Sequence, residues 1–214
     1  MKRIYTAEEM RRAEQNAVNR GSSFEKLMED AGQGVADNLL KRIADGKLQA
    51  PDSILIICGK GNNTGDGLVL ARALAEQNLA IKLVFILGSQ LSDLSQLNLK
   101  RLESLEIDVI EKDTLPALLE TFDSSQWIID AVFGTGFSGE LSPEVANIMA
   151  LANQAQAYRI ALDIPTGLNC DTGELSTNTF NADVTYTFAA YKPAHCMDKG
   201  KSVSGKIICI DIGI

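Results

Sequence analysis

Hydrophobic positions follow two different spacings along the chain, and the change falls near Pro51. Before it, apolar residues recur with helical spacing in two segments. Thr6 and Glu9 form the capping box of a first helix, and Gly21 is a suitable end for it. Residues 22–25 form a second capping box. The helix after it has an apolar face made of Leu27, Met28, Ala31, Val35, Leu39 and Leu40. The two segments predict an amino-terminal helical arm.

After Pro51, strand patterns alternate with helix patterns. Strands are predicted at 53–58, 80–87, 107–110, 126–133, 158–163, 184–190 and 206–211. Helices are predicted at 66–77, 91–104, 114–121 and 142–155. Most strands are continuous apolar runs, as expected when helices cover both faces of a parallel sheet. We therefore expect one α/β domain over 1–214. It is doubly wound, with a mostly parallel sheet between helix layers, a Rossmann-like three-layer sandwich. The polar segment 168–181 is predicted to be a surface loop or short hairpin.

The amino-acid composition limits the classes of molecule that the chain is expected to bind. The net charge of −8 disfavours nucleic acid or an anionic membrane as the main partner. No apolar run is long enough to span a membrane, and no signal peptide pattern is found. The four cysteines lack C-x-x-C spacing, which suits a reducing compartment, so a cytoplasmic location is expected. Cys58 and Cys209 lie in apolar strand patterns and are predicted to be buried.

A glycine-rich stretch, residues 59–67 (GKGNNTGDG), joins the first strand to the next helix. Strand, glycine turn and helix are the parts of an anion-binding unit. It is not a P-loop, because Asp66 rather than lysine follows Gly65. It is not a dinucleotide fingerprint, because the third glycine comes one residue late. The second strand runs into residues 88–90 without an acid to hold a ribose, so an ordinary NAD site is disfavoured.

Three further polar clusters follow predicted strands. Asp130 leads into a second glycine-rich turn, Asp163 begins the run DIPTG, and Lys192 precedes a proline. Each has a simple structural alternative: the aspartates can brace turns, and the lysine can be solvated. Strand carboxyl ends share one edge of the sheet, so the coincidence favours a polar ligand site. His195, the only histidine, lacks metal-ligand spacing and is interpreted as incidental.

Four blocks carry a resemblance to a known family. Residues 61–67 (GNNTGDG), 130–136 (DAVFGTG), 163–167 (DIPTG) and 182–185 (ADVT), with Thr187, Phe188 and Lys192, resemble the signatures of the NAD(P)HX epimerase family. This is the YjeF-type amino-terminal domain. Residues 27–32 (LMEDAG) and 211–213 (DIG) also resemble it, so the match covers essentially the whole chain. Thr64 replaces the usual glycine and adds a side chain where a ligand would approach, whereas Thr166 replaces serine and keeps its hydroxyl.

The resemblance implies a doubly wound fold, a homodimer, and epimerisation at C6 of the hydrated nucleotides NADHX and NADPHX. It implies one K⁺ per subunit, held by Asn63, Asp130 and Thr166. One carboxylate and two neutral oxygens suit a large monovalent ion better than Mg²⁺ or Zn²⁺. It also implies an ADP- or ATP-dependent dehydratase as a fused or functional partner. The implied substrate contacts are Asn62, Asn63, Thr64, Gly65, Asp66, Gly134, Thr135, Gly136, Phe137, Ser138, Gly139, Glu140 and Asp163.

The chemistry needs one group that gives a proton and one that takes it. Asp163 is the better candidate base because it ends a buried strand, and Lys192 either orients it or donates a proton. Asp163→Asn is then expected to remove the base and keep the fold. The alternative function is a non-catalytic nucleotide- or protein-binding module of the same fold. The presence of Asp163, Lys192 and both glycine loops favours the enzyme.

Overall fold

The computed structural model describes residues 3–88 and 90–214. Met1, Lys2 and Ser89 lie outside the described residues, and so does the part of the predictions that rests on them. The described part of the chain forms one seven-stranded sheet in the order β3-β2-β1-β4-β5-β6-β7. Its strands are β1 (Ser53–Cys58), β2 (Ile81–Phe85), β3 (Ile107–Val109), β4 (Gln126–Ala131), β5 (Tyr158–Leu162), β6 (Val184–Phe188) and β7 (Lys206–Ile210).

All seven predicted strands are confirmed, and every neighbouring pair is parallel. Alternate residues of each central strand enter cores on opposite faces. Ile54 and Ile56 pack into the larger core, and Leu55 and Ile57 pack into the smaller one. Apolar burial on both faces explains why these strands are continuous hydrophobic runs.

Helices cover both faces of the sheet, which confirms the doubly wound architecture. The α-helices of the described residues are α1 (Ala7–Asn19), α2 (Phe24–Ala44), α3 (Asn62–Ala75), α4 (Asp93–Lys100), α5 (Leu115–Glu120), α6 (Pro143–Gln154) and α7 (Asp198–Ser204). Helices α2 and α3 contribute to the larger core, and α5 and α6 to the smaller one. None of the described helices combines the length and apolar character needed to cross a membrane.

Helices α2 and α3 approach each other closely at a glycine. A Cβ atom at Gly32 would lie 2.5 Å from the Cβ of Val69 and 2.7 Å from the carbonyl oxygen of Asp66. Only a residue without a side chain permits this approach. The contact fixes the beginning of α3 against α2 at the edge of the sheet where strand order reverses.

Some local predictions are wrong. The cap of α2 is Ser23, whose hydroxyl accepts the N–H of Lys26, so the predicted capping box at 22–25 does not form. Cys209 is exposed, because β7 is the last strand of the sheet and has no neighbour beyond it. Helix α7 and the short 3₁₀ turn Pro193–Cys196 are not predicted. The segment 168–181 contains one antiparallel bridge, between Leu168 and Leu175, as a short hairpin would.

Candidate active site

A cavity of about 440 Å³ opens at the carboxyl ends of β1, β4, β5 and β6. The sheet order 3-2-1-4 reverses direction between β1 and β4, and ligands of open α/β sheets bind at such a point. Part of the predicted site lines this cavity, namely Asn62, Asn63, Asp66, residues 134–137 and Asp163. Three of the four polar clusters therefore contribute residues to one crevice, and the fourth, Lys192, lies behind it in an ion pair with Asp163. The volume is typical of a site for a small ligand.

The glycine-rich stretch is mostly helix rather than loop. Helix α3 begins at Asn62 after the N-cap Gly61, four residues earlier than the pattern predicts. No side chain among the described residues caps it. The N–H of Thr64 donates to the carbonyl of Gly61 at 3.1 Å, so the N–H groups of Asn62 and Asn63 are the ones available to an anion, with Lys60 also on the cavity wall. A side chain at Gly61 would meet nothing within 4 Å, which leaves the helix start open.

Thr64 and Gly65 face away from the cavity. The hydroxyl of Thr64 is fully buried and donates to the carbonyl oxygen of Ala131 at 2.9 Å, which ties α3 to the end of β4. A Cβ at Gly65 would lie 2.5 Å from the Sδ and Cε atoms of Met28, so Gly65 admits the α2 side chain. The threonine that departs from the family pattern is thus a structural contact on the sheet side of the helix.

Asp163 and Lys192 form a buried ion pair at the floor of the cavity. Lys192 is fully buried, and its ammonium donates to Asp163 Oδ1, to Thr187 Oγ1 at 2.8 Å and to the carbonyl of Phe188 at 3.1 Å. Asp163 Oδ2 accepts the N–H of Thr135 at 3.3 Å. The side chain of Asp163 remains 12% exposed, and it is the member of the pair that lines the cavity. Lys192 itself does not line the cavity.

The backbone at both residues is constrained. Asp163 has φ +63°, a left-handed conformation that Asp and Asn tolerate better than most residues. The N–H of Lys192 donates to Nδ1 of His195 at 3.1 Å. Burial, together with the Lys192 charge, lowers the pKa of His195 to about 4. His195 is therefore a neutral acceptor that fixes the Lys192 backbone, a structural role that the sequence analysis did not assign.

A second buried cluster contains Asn63, Asp130 and Thr166. The Asp130 carboxylate accepts the N–H of Thr166 at 2.7 Å, its hydroxyl at 2.8 Å and the N–H of Val132 at 3.1 Å. Thr166 Oγ1 accepts the N–H of Phe133 at 3.1 Å, and Asn63 Nδ2 donates to the carbonyl of the same residue at 3.0 Å. Phe133, in the turn after β4, therefore bonds to Thr166 through its N–H and to Asn63 through its carbonyl, and Thr166 bonds to Asp130. These hydrogen bonds link all three predicted cation ligands.

This cluster has one unsatisfied acceptor. Asn63 Oδ1 is buried and has no hydrogen-bond partner among the described residues. Burial raises the pKa of Asp130 to about 6, although its three hydrogen bonds oppose the rise. An orphaned amide oxygen near a buried carboxylate fits a cation held by oxygen ligands. The described residues contain no group of three or more His, Cys, Asp or Glu side chains suited to a metal ion.

The sequence and the fold of the chain are similar to those of known proteins. A family model described as YjeF-related protein N-terminus matches residues 24–194. The chain belongs to the YjeF N-terminal family. The match begins at the first residue of α2 and leaves α1 outside it.

Some relatives of this YjeF N-terminal chain have a similar length, and others are more than twice as long. The NAD(P)H-hydrate epimerase of Pirellula staleyi is 32% identical over 100% of the chain and 94% of its own length. The NAD(P)H-hydrate epimerase of Rhodopirellula baltica is 36% identical over 88% of the chain and 75% of its own length. A bifunctional NAD(P)H-hydrate repair enzyme of Coxiella burnetii is 34% identical over 99% of the chain, which spans only 41% of that relative. The crystal structure of the yeast protein ynu0 shares the fold, with a TM-score of 0.78 at 24% identity over 90% of the chain and 83% of its own.

In this YjeF N-terminal chain, the second half of the glycine-rich turn after β4 was predicted to contact the substrate but lies outside the cavity. Ser138, Gly139 and Glu140 do not line it. Glu140 instead accepts the hydroxyl of Ser176 at 2.8 Å and the N–H of Thr177 at 3.1 Å, and these hydrogen bonds lower its pKa. This end of the turn fastens the hairpin segment 168–181 to the region ahead of α6.

Sequence analysis missed the contribution of the first helix to the site. Met10, Arg11 and Glu14 of α1 line the cavity, opposite the sheet edge. Burial raises the pKa of Glu14, and the nearby Asp163 charge adds to the rise. The pattern of α1 predicts a helix with a polar face, but it holds no signal that this face lines a cavity formed by residues from Lys60 to Asp163.

Proposed function

We propose that the chain is an NAD(P)H-hydrate epimerase that interconverts the R and S forms of NADHX and NADPHX. The observation that carries this proposal is the Asp163 carboxylate, held by the fully buried Lys192 and open to the cavity. Two epimerases aligned over most of their own length give the reaction class. A non-catalytic module would have no need to keep a charged lysine wholly buried behind a carboxylate.

The chain's own residues supply the parts of the reaction. Asp163 Oδ1 is taken by Lys192, so Oδ2 is the atom left to take a proton from the C6 hydroxyl or from attacking water. A positioned base of this kind contributes roughly 10²–10⁴-fold to the rate. A Cβ at Gly134 would lie 3.2 Å from Asp163 Oδ2, so this glycine keeps the reacting oxygen accessible. We assign orientation of Asp163 to Lys192.

The nucleotide phosphates have a matching surface. The open amino terminus of α3, with Asn62 and Lys60 on the cavity wall, offers N–H donors and a positive charge. Gly136 leaves open space beside the backbone of the β4 turn, where a flat ring can approach. Thr64, Gly65 and residues 138–140 then act on the ligand only by supporting this surface, not by direct contact.

A potassium ion is the proposed resident cation, with Asn63, Asp130 and Thr166 as its side-chain ligands. The unpartnered Asn63 Oδ1 and the buried Asp130 carboxylate support this assignment. When bound, the ion supplies positive charge that stabilises the Asp130 carboxylate and the turn above it. Asn63 also lines the cavity, so the cation ligands adjoin the substrate surface.

Three further parts of the proposal concern context. We propose a homodimer, a cytoplasmic location, and cooperation with a dehydratase that consumes the same hydrated nucleotides. The support for the last is that the bifunctional relatives named as repair enzymes contain a region similar to this chain over about two fifths of their length.

The test is direct observation of epimer interconversion. Purified protein is mixed with (6R)-NADHX, and the two epimers are separated by chromatography over time. We expect equilibration much faster than in buffer alone. The matched control is the double variant Asp163→Asn/Lys192→Met, which removes both charges together. Rates no higher than those of this control would refute the proposed function.

A further inference from the structure

The cavity contains more carboxyl groups than the buried lysine can neutralise. Glu14 from α1, Asp66 from α3 and Asp163 after β5 all line it. Lys192 is ion-paired with Asp163. No hydrogen bond or ion pair within the described part of the chain involves the side chains of Glu14 or Asp66. The other charged residues on the cavity wall are Arg11 and Lys60.

The three carboxyl groups lie in two different electrostatic environments. Burial raises the pKa of Glu14, and the Asp163 carboxylate raises it further. Burial raises the pKa of Asp66 well above its usual range, and Asp163 and Glu14 both add to that rise. Asp163, in contrast, has an ammonium partner. Carboxyls placed in such different environments take the roles of acid and base in a single site.

Epimerisation at C6 requires such a pair, and the carboxyl groups that line the cavity offer one. We propose that Glu14 is a further catalytic residue, the general acid that protonates the departing C6 hydroxyl while Asp163 is the base. This inference rests on the proposed epimerase function. Glu14 suits the role better than Asp66, because Asp66 belongs to the beginning of α3, which the proposed function assigns to the nucleotide phosphates, whereas Glu14 enters the cavity from a separate helix.

The step balances without a further reactant. The Glu14 proton passes to the C6 hydroxyl, the C6–O bond breaks, and water leaves as the ring nitrogen lone pair forms a C6=N bond. Water then adds to the other face of C6, its proton passes to Asp163, and the C=N electron pair returns to nitrogen. The proton on Asp163 returns to Glu14 through the cavity that both side chains line. The reverse reaction uses the same atoms.

Helix α1 lies outside the segment that the family model matches, so the position of Glu14 comes only from the fold. Its neighbours on α1 support the placement. Met10, one turn earlier, is buried, and Arg11 Nε is occupied by the carbonyl of Ala7 at 3.3 Å. Arg11 also lines the cavity, and its charge opposes the rise in the pKa of Glu14 that burial and Asp163 cause, so Glu14 is the acidic side chain that α1 presents to the cavity.

The test compares pH–rate profiles of wild type, Glu14→Gln, Glu14→Asp and the matched control Glu8→Gln. Glu8 is an exposed glutamate of the same helix outside the cavity. We expect Glu14→Gln to lower kcat by about 100-fold or more, with KM within about threefold, and to lose the alkaline limb of the profile. Glu14→Asp should keep that limb with reduced turnover, and Glu8→Gln should match wild type. Infrared spectra at neutral pH should lose intensity from protonated carboxyl in Glu14→Gln.

The outcomes separate this inference from the function on which it rests. Wild-type activity together with an unchanged profile in Glu14→Gln would overturn the role of Glu14 and leave the epimerase assignment standing. The same holds if Asp66→Asn, and not Glu14→Gln, removes the alkaline limb. An inactive wild type would instead overturn the proposed function itself. Glutamine resembles the neutral carboxyl, so Glu14→Gln is expected to fold with a melting temperature near that of wild type.

Discussion

Breaking the buried pair from one side should cost far more stability than removing it whole. The sequence suggests that Asp163→Asn is nearly isosteric and leaves the fold intact. The structure adds that this change leaves the Lys192 ammonium fully buried with only neutral acceptors, Thr187 Oγ1 and the carbonyls of Phe188 and Ala190. Its reciprocal, Lys192→Met, leaves Asp163 in the cavity floor without a cation.

The magnitude follows from burial. Removing one partner of a buried pair costs about 3–5 kcal/mol, because the other charge is left uncompensated. Asp163→Asn should fall in this range, since Lys192 has no exposed surface. Lys192→Met should lie near its lower end, because the Asp163 side chain is 12% exposed and keeps the N–H of Thr135. For a chain of this size the melting temperature should fall by roughly 6–20 °C.

Calorimetry and urea unfolding of the two single variants and the double variant Asp163→Asn/Lys192→Met measure this directly. The double variant should recover most of the loss, with a coupling energy of about 2 kcal/mol or more. Lys26→Met is the matched control, because Lys26 forms an exposed ion pair with Asp30 and should cost under about 1 kcal/mol. Additive losses in the double variant, or single losses as small as the control, would refute the reasoning.

Four further predictions concern the cation, the packing and pH. KCl should raise the melting temperature more than LiCl at equal ionic strength, and Asp130→Asn should remove the difference; equal responses would argue against a bound ion. Thr64→Val should cost about 1 kcal/mol in urea unfolding, because the buried carbonyl of Ala131 loses its hydroxyl donor and keeps only the N–H of Gly59 at 3.5 Å, and should leave kcat/KM unchanged. Gly32→Ala should cost about 1–3 kcal/mol by overpacking against α3, and wild-type stability would show that the helices move apart freely. Burial lowers the pKa of His195 from 6.5 to about 4. The neutral ring therefore contributes its full stability to the folded state above pH 6.5, and this stability is lost as the pH falls toward 4. Over this range the free energy of unfolding of wild type should fall by about 3 kcal/mol relative to that of His195→Gln.

The sheet was predictable because its signal is local. Ile54–Ile57 is an unbroken apolar run, and burial on both faces of a parallel strand requires that. The start of α3 was not predictable, because Asn62, Asn63 and Gly65 have poor helix propensity and tertiary contacts override it. Cys209 has the pattern of a core strand, but exposure depends on β7 being at the edge, which is a property of the whole sheet.

The candidate site was predictable only as far as strand ends determine it. Asp163 and Lys192 each follow a strand, so their convergence on one edge follows from a parallel sheet. The local sequence does not predict that Lys192 is buried, because its charged partner is Asp163, 29 residues earlier in the chain. Glu14 belongs to a helix whose docking over the cavity is a long-range packing event.

The strand order has a consequence for synthesis of the chain. One edge of β1 pairs with β2 soon after, but the other waits for β4, which begins at Gln126. At about 5–20 residues per second, translation takes roughly 3–14 s to cover the interval from Cys58 to Gln126. During that time an apolar strand edge has no partner, and such edges pair readily with other chains. The reversal of strand order that creates the cavity therefore makes this edge the point at which a nascent chain is most exposed to aggregation.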